Sequence, residues 1–265
     1  MDATRLSDST QVVIRRTQTW KDELPIYQRL AARPSDVRNR LAPILDVVLL
    51  PDTDEEILLV LPFLRVYYDP AFSRVDQVVQ CVSQFLEVMR NAASEDFCSD
   101  NLMMDATNIV PGGHHFAEPY SRPDGRFGLN FRDRAEAPPV QYFVIDLGLA
   151  DQMLKPDNLV TGIFGQDRTV PELSWDVPYD PFKVDIYQFG NVITRDMLNI
   201  YDGLDFLRPL AEMMTQPDPE ARPSISEALA VFRKTVQDMP LSALQQNVRA
   251  KRHNGRIFFA PEARS

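Results

Sequence analysis

Asp96 and Asn101, five positions apart in Asp96-Phe97-Cys98-Ser99-Asp100-Asn101, are followed by Asp146-Leu147-Gly148, directly after the apolar run Tyr142-Phe143-Val144-Ile145. Val170-Pro171-Glu172 comes next. A carboxylate, an amide and a second carboxylate in that order carry the groups that phosphoryl transfer requires. One carboxylate accepts or orients the proton of the nucleophile, and an amide with a second carboxylate holds Mg²⁺ on the phosphates. Asp96 fits the first role, and Asn101 and Asp146 fit the second. Other reactive side chains have plainer readings. Cys98 has no histidine close in sequence, and its acidic neighbour raises a thiol's pKa, so it is not a nucleophile. His114-His115 stand in a loop with no nearby cysteine or third histidine and read as surface residues rather than metal ligands.

These groups need a scaffold, and the composition supplies one. The chain has 265 residues, 44% hydrophobic and 25% charged, which excludes disorder and fibre. With 38 acidic against 28 basic residues the formal charge is −10, so a phosphate-backbone ligand would meet an opposing field. Cys81 and Cys98 are the only cysteines, too few for a disulfide framework or a four-thiolate zinc site, which suits a reducing compartment. Met1-Asp2-Ala3-Thr4 has no signal pattern, and the longest nearly apolar run, residues 57–64, is far short of a membrane span. The expectation is an intracellular, cytoplasmic protein without nucleic-acid or membrane partners.

All ten glycines lie at or after Gly112, so no glycine-rich loop exists in the first 111 residues. Gln11-Val12-Val13-Ile14-Arg15 predicts a strand, residues 19–30 a helix through Trp20, Leu24, Tyr27 and Leu30, and residues 44–50 and 56–61 two further strands. Val75, Val78, Val79, Val82, Leu86 and Met89 keep the 3.6-residue period of a core helix. Residues 108–141, with four glycines and five prolines, predict a loop. Helices are predicted over 185–193, 204–214 and 224–235, the last opened by a capping box of Ser224 and Glu227. The final thirty residues form a locally basic tail, read as a solvated or loosely packed extension.

As an ordered set, Asp96 to Asn101, Asp146-Leu147-Gly148 and Val170-Pro171-Glu172 resemble the catalytic loop, the D-F/L-G and the A/V-P-E signatures of the eukaryotic protein kinase superfamily. Asp185 resembles the buried aspartate that opens the large helix of the family's C-lobe, and Arg222 the arginine that pairs with Glu172. Val12-Val13-Ile14-Arg15 resembles the strand carrying the phosphate-binding lysine, Glu23 the helix glutamate that pairs with it, and Val60-Leu61-Pro62-Phe63-Leu64 the hinge, with Leu61 at the gatekeeper place. The resemblance covers roughly residues 11–235. Glu23 also fits an ordinary acidic residue in a helix's first turn.

The departures concentrate on nucleotide handling. The lead before Val12 is too short for the family's phosphate-covering hairpin, so the nucleotide roof is expected to be absent. Arg15 replaces the lysine, and its planar fork is longer and differently shaped than an ammonium. Ser94-Glu95-Asp96 stands where His-Arg-Asp is usual, and Glu95 would repel an activating phosphate at Thr161 or Thr169.

The resemblance implies an α+β, bilobal kinase-like fold. Its parts would be a truncated N-lobe and hinge over 1–64, a mainly helical C-lobe over 65–235 with the insertion 108–141, and a basic tail over 236–265. The implied function is a pseudokinase, with impaired ATP binding, acting as a scaffold or regulatory module for a protein partner. The alternative is a weakly active Ser/Thr kinase using ATP and Mg²⁺ on a protein substrate. If the site is functional, Asp96 would be catalytic, Arg15, Glu23, Leu61 and Phe63 would bind the nucleotide, and Asn101 and Asp146 the metal; otherwise no cofactor is expected. A third reading is an incomplete chain whose first strands lie upstream of Met1.

Overall fold

The computed structural model describes residues 1–19, 41–90, 96–145, 159–253 and 256–257. The predicted helix over 19–30 beyond its first residue, with Glu23, and the positions Glu95 and Asp146 lie outside the described residues. The architecture mixes helices with small antiparallel sheets, in keeping with the α+β class.

Strands β1 (Asp2–Arg5), β2 (Thr10–Gln18), β3 (Asp46–Leu49) and β4 (Glu56–Pro62) form a four-stranded sheet in the order β1-β2-β4-β3. The β-branched run in β2 pairs along its length with β4, Val13 opposite Leu61 and Arg15 opposite Leu59. Alternation puts Ile57 and Leu59 inward, at 3% and 0% exposure. The β1–β2 hairpin corrects the sequence reading, which allowed no hairpin before Val12. A glycine was not needed for the turn. Asp8 pairs with Arg5 and accepts a hydrogen bond from the Thr10 amide at 3.1 Å, while Ser9 takes the left-handed conformation at φ 58°.

Below this sheet, α1 (Val75–Met89) coincides with its predicted periodicity. Its Phe85 is the hub of an aromatic cluster, with ring centroids 5.6 Å from Tyr67, 6.1 Å from Phe97, 5.5 Å from Tyr142 and 6.0 Å from Phe189. Burying each such side chain contributes about 1.5–3 kcal/mol. Strands β5 (Arg65–Val66), β6 (Leu102–Met104) and β7 (Tyr142–Val144) make a small sheet against it, and β8 (Val160–Gly162) pairs with β9 (Ser174–Tyr179).

Helix α2 (Pro181–Val192) starts from Asp180, whose carboxylate accepts the Phe182 amide, and runs on into a π-helical turn over Ile193–Leu198. Gly190 lets α2 approach α3 (Arg208–Met214), since a Cβ there would lie 2.6 Å from Thr215 Cγ2 and 2.9 Å from Met214 Cβ. The capping box of Ser224 and Glu227 opens α4 (Ile225–Gln237) as predicted. Among the described residues no helix is long and apolar enough to cross a membrane.

Two segments differ from the loose surfaces expected of them. Past α4, the chain turns through α5 (Leu241–Leu244) and docks. Val75 donates to Gln246 and Val248 to Ser73, and β10 (Tyr201–Asp202) pairs with β11 (Arg249–Ala250). The insertion has no long element but is tightly bolted. The buried Arg134 donates to Tyr142 Oη at 2.7 Å and to the carbonyls of Tyr67 and Pro70, with its guanidinium 4.7 Å from the Phe72 ring. The buried Arg65 donates to Pro119 O at 2.7 Å and pairs with Asp69 at 2.5 Å. Charge that reads locally as solvated is here consumed by backbone carbonyls far away in sequence.

Candidate functional site

Between the four-stranded sheet and the β5-β6-β7 layer lies a cleft of 610 Å³. Arg15 from β2, Leu61 from the end of β4, Phe63 from the connection to β5 and Asn101 from the turn before β6 all line it. Four of the seven residues singled out from the sequence therefore share one cavity. Its other walls are mainly apolar, with Val13, Ala42, Met103, Phe116 and Ile145 among them, and Arg16 beside Arg15 adds a second guanidinium. Apolar lining with a few polar groups at one end is the usual make-up of a small-molecule site.

Asp96 does not line the cleft itself but is bonded to Asn101, which does. Asn101 Nδ2 donates to Asp96 Oδ2 at 3.0 Å and to its backbone carbonyl at 2.9 Å. The other carboxylate oxygen, Oδ1, accepts the backbone amide of Gln166 at 2.8 Å. Gly165, at φ 78°, makes the turn that presents this amide. The turn is anchored by Asp167, whose side chain is 1% exposed. Its carboxylate pairs with Arg195 and accepts Asn191 Nδ2 at 2.8 Å, Thr169 Oγ1 at 2.7 Å and the Thr169 amide at 3.0 Å. Burial alone would raise the pKa of Asp167, but these donors hold it below the ordinary carboxylate value.

The loop carrying Asp96 is held from beneath. The fully buried Gln188 of α2 accepts the Phe97 amide at 2.7 Å. Asp196 accepts Tyr67 Oη at 2.8 Å and Ser99 Oγ, and burial raises its pKa despite them. Burial and the neighbouring Asp96 push the Cys98 thiol up to about 12, which leaves it protonated and unreactive at neutral pH. Asp185 is buried at 2% exposure on the same helix as Gln188.

Asn101 also connects this loop to the segment of the second acidic signature. Leu102 pairs with Val144, and the Asn101 carbonyl accepts the Ile145 amide at 2.9 Å. Ile145 immediately precedes Asp146, which lies outside the described residues, as does Glu23. Besides the donating Nδ2, the Asn101 side chain carries an oxygen of the kind Mg²⁺ takes as a ligand. Among the described residues no three His, Cys, Asp or Glu side chains cluster as a metal site.

Away from the cleft, Glu172 and Arg222 form the pair that the resemblance implied. Arg222 Nη1 and Nη2 reach the two Glu172 oxygens at 2.5 and 2.8 Å, a bidentate contact with Arg222 fully buried and stacked 4.6 Å from the Tyr187 ring. His114 is not the surface residue expected. It is 6% exposed and stacks on Phe63 with ring centroids 4.5 Å apart. Burial, with the nearby Arg65 charge, pushes its pKa down to about 4.

Gln166, Gln188 and Phe116 were not found from the sequence. Gln188 had a signal, being a polar residue on the apolar face of a helix; Gln166 acts through its backbone and Phe116 through a long-range fold, neither of which leaves a local pattern. No protein-family model matches the chain, and no curated protein matches it.

Proposed function

We propose that the chain is a degenerate protein-kinase-like domain of two lobes, with the four-stranded sheet as a reduced N-lobe and the part from Arg65 onward as the C-lobe. It acts as a pseudokinase, a scaffold or regulatory module for a protein partner. The observation that carries this reading is the convergence of Arg15, Leu61, Phe63 and Asn101 on one cleft, with Asp96 hydrogen-bonded to Asn101. These residues come from distant parts of the chain and were singled out from the sequence.

Three features favour binding over catalysis. The β1–β2 turn at residues 6–9 contains no glycine and so lacks the flexible backbone that covers phosphates in kinases. Arg15 replaces the lysine, offering a planar fork where a compact charge is usual. Both carboxylate oxygens of Asp96 already accept internal donors, so a nucleophile's hydroxyl must compete with Asn101 and with the anchored Gln166 amide.

Asn101 and Asp146 would hold Mg²⁺, which would supply neutralising charge to a bound nucleotide's phosphates. The weakly active Ser/Thr kinase stands as the second reading because Asp96, Asn101 and Asp146 all persist. Incubation with γ-labelled ATP, Mg²⁺ and basic or acidic protein acceptors separates the two. The proposal expects no more label transfer from the wild type than from Asp96→Ala. Transfer a hundredfold above that variant would establish the enzyme and overturn the pseudokinase.

A further inference from the structure

The insertion 108–141 is a folded loop that reaches the cleft. Its ends meet where the Arg132 amide donates to Ile109 O at 2.9 Å, and its base is set by the buried Ile109 and Val110. Two contacts fix its middle to different halves of the molecule. Gln11 Nε2 of β2 donates to His114 O at 3.4 Å, and Arg65 of β5 donates to Pro119 O at 2.7 Å. Between these anchors His114 stacks on Phe63, and Phe116 leans on the same ring, with centroids 5.9 Å apart. Phe116 thereby becomes a wall of the 610 Å³ cleft while remaining 43% exposed, a large aromatic face left partly uncovered beside a cavity.

Resting on the reading of this cleft as a nucleotide-type site, we infer that Phe116 is a ligand-binding residue, the aromatic wall against which the planar base of a nucleoside lies. Val13, Ala42, Met103 and Ile145 add apolar surface to the same cleft. An aromatic face gains dispersion and stacking energy from a heteroaromatic base without demanding a particular hydrogen-bond pattern. The insertion thus supplies affinity for the base in a site where phosphate handling is weakened. Selection shifts from the triphosphate tail towards the ring.

Adenosine is the probe, titrated calorimetrically into the full chain. Truncating a base-stacking aromatic weakens binding about tenfold. Phe116→Ala is expected to show that loss, while Phe116→Tyr, which keeps the ring, and Phe127→Ala, which removes an 87%-exposed ring of the same insertion, bind as the wild type does. Melting temperatures of the unliganded variants check folding. Equal affinity of the wild type and Phe116→Ala would overturn the inference and leave the cleft reading standing. Failure of the wild type to bind either adenosine or Mg·ATP at millimolar concentration would overturn the cleft reading, and the inference with it.

Discussion

Asp96→Ala removes the acceptor of the Gln166 amide and so tests whether the Gly165-Gln166 turn is fastened to the candidate catalytic carboxylate. In the structure this hydrogen bond spans 2.8 Å and ends on a carboxylate oxygen. Such a bond to a charged group contributes about 1.5–3 kcal/mol, so its loss should speed exchange of the Gln166 amide roughly 10- to 100-fold. The Thr169 amide, bonded to the separately anchored Asp167 at 3.0 Å, should keep its wild-type rate. Asp96→Asn retains a neutral oxygen acceptor and should fall between the two. Residue-resolved hydrogen exchange by NMR near pH 7 reads all three. An unchanged Gln166 rate in Asp96→Ala would refute the fastening. Equal acceleration across 160–170 would show instead that the variant loosens the whole segment.

Glu172→Ala should destabilise the fold by about 3 kcal/mol, because removing one partner of a buried ion pair strands the other charge; the carbonyls of Gln216 and Lys183, which also accept from Arg222, keep the cost at the lower end. Denaturant unfolding of Glu172→Ala, Arg222→Ala and the double variant checks this, and full additivity of the two single losses would contradict a direct pair. His114, with a pKa of about 4 in the fold, favours folding while neutral. Its contribution is complete above its unfolded value near 6.5 and is lost as pH falls from there through 4, up to about 2–3 kcal/mol. His114→Phe keeps a ring to stack on Phe63 without the titration, so its stability relative to wild type should rise from pH 7 to pH 4; a pH-independent difference would refute the assignment.

Periodicity and capping made the helical half of this fold legible. Val75–Met89 follows one buried stripe, and Ser224 with Glu227 marks the start of Ile225–Gln237. Strand β1 was not legible, since Asp2–Arg5 lacks alternation and its turn relies on Asp8 and Ser9 in place of glycine. The insertion and the tail show the larger limit. Their composition marks irregular chain, but whether an arginine is solvated or buried depends on partners such as Pro119, 54 positions from Arg65. The site followed the same division. Arg15, Leu61, Phe63, Asp96 and Asn101 stand in recognisable motifs, whereas the Gln166 amide and the Phe116 wall arise only when distant loops are brought together.

The most direct test of the account is a melting-temperature titration with ATP, with and without Mg²⁺, on the wild type and on Asp146→Asn. A ligand that binds only the folded chain raises the melting temperature as its concentration passes Kd, by about 3 °C at tenfold excess for a chain of this size. The account predicts a rise at millimolar ATP that is the same with and without Mg²⁺ and is kept in Asp146→Asn. A rise that requires Mg²⁺ and vanishes in Asp146→Asn would contradict it, because phosphate and metal would then carry the binding.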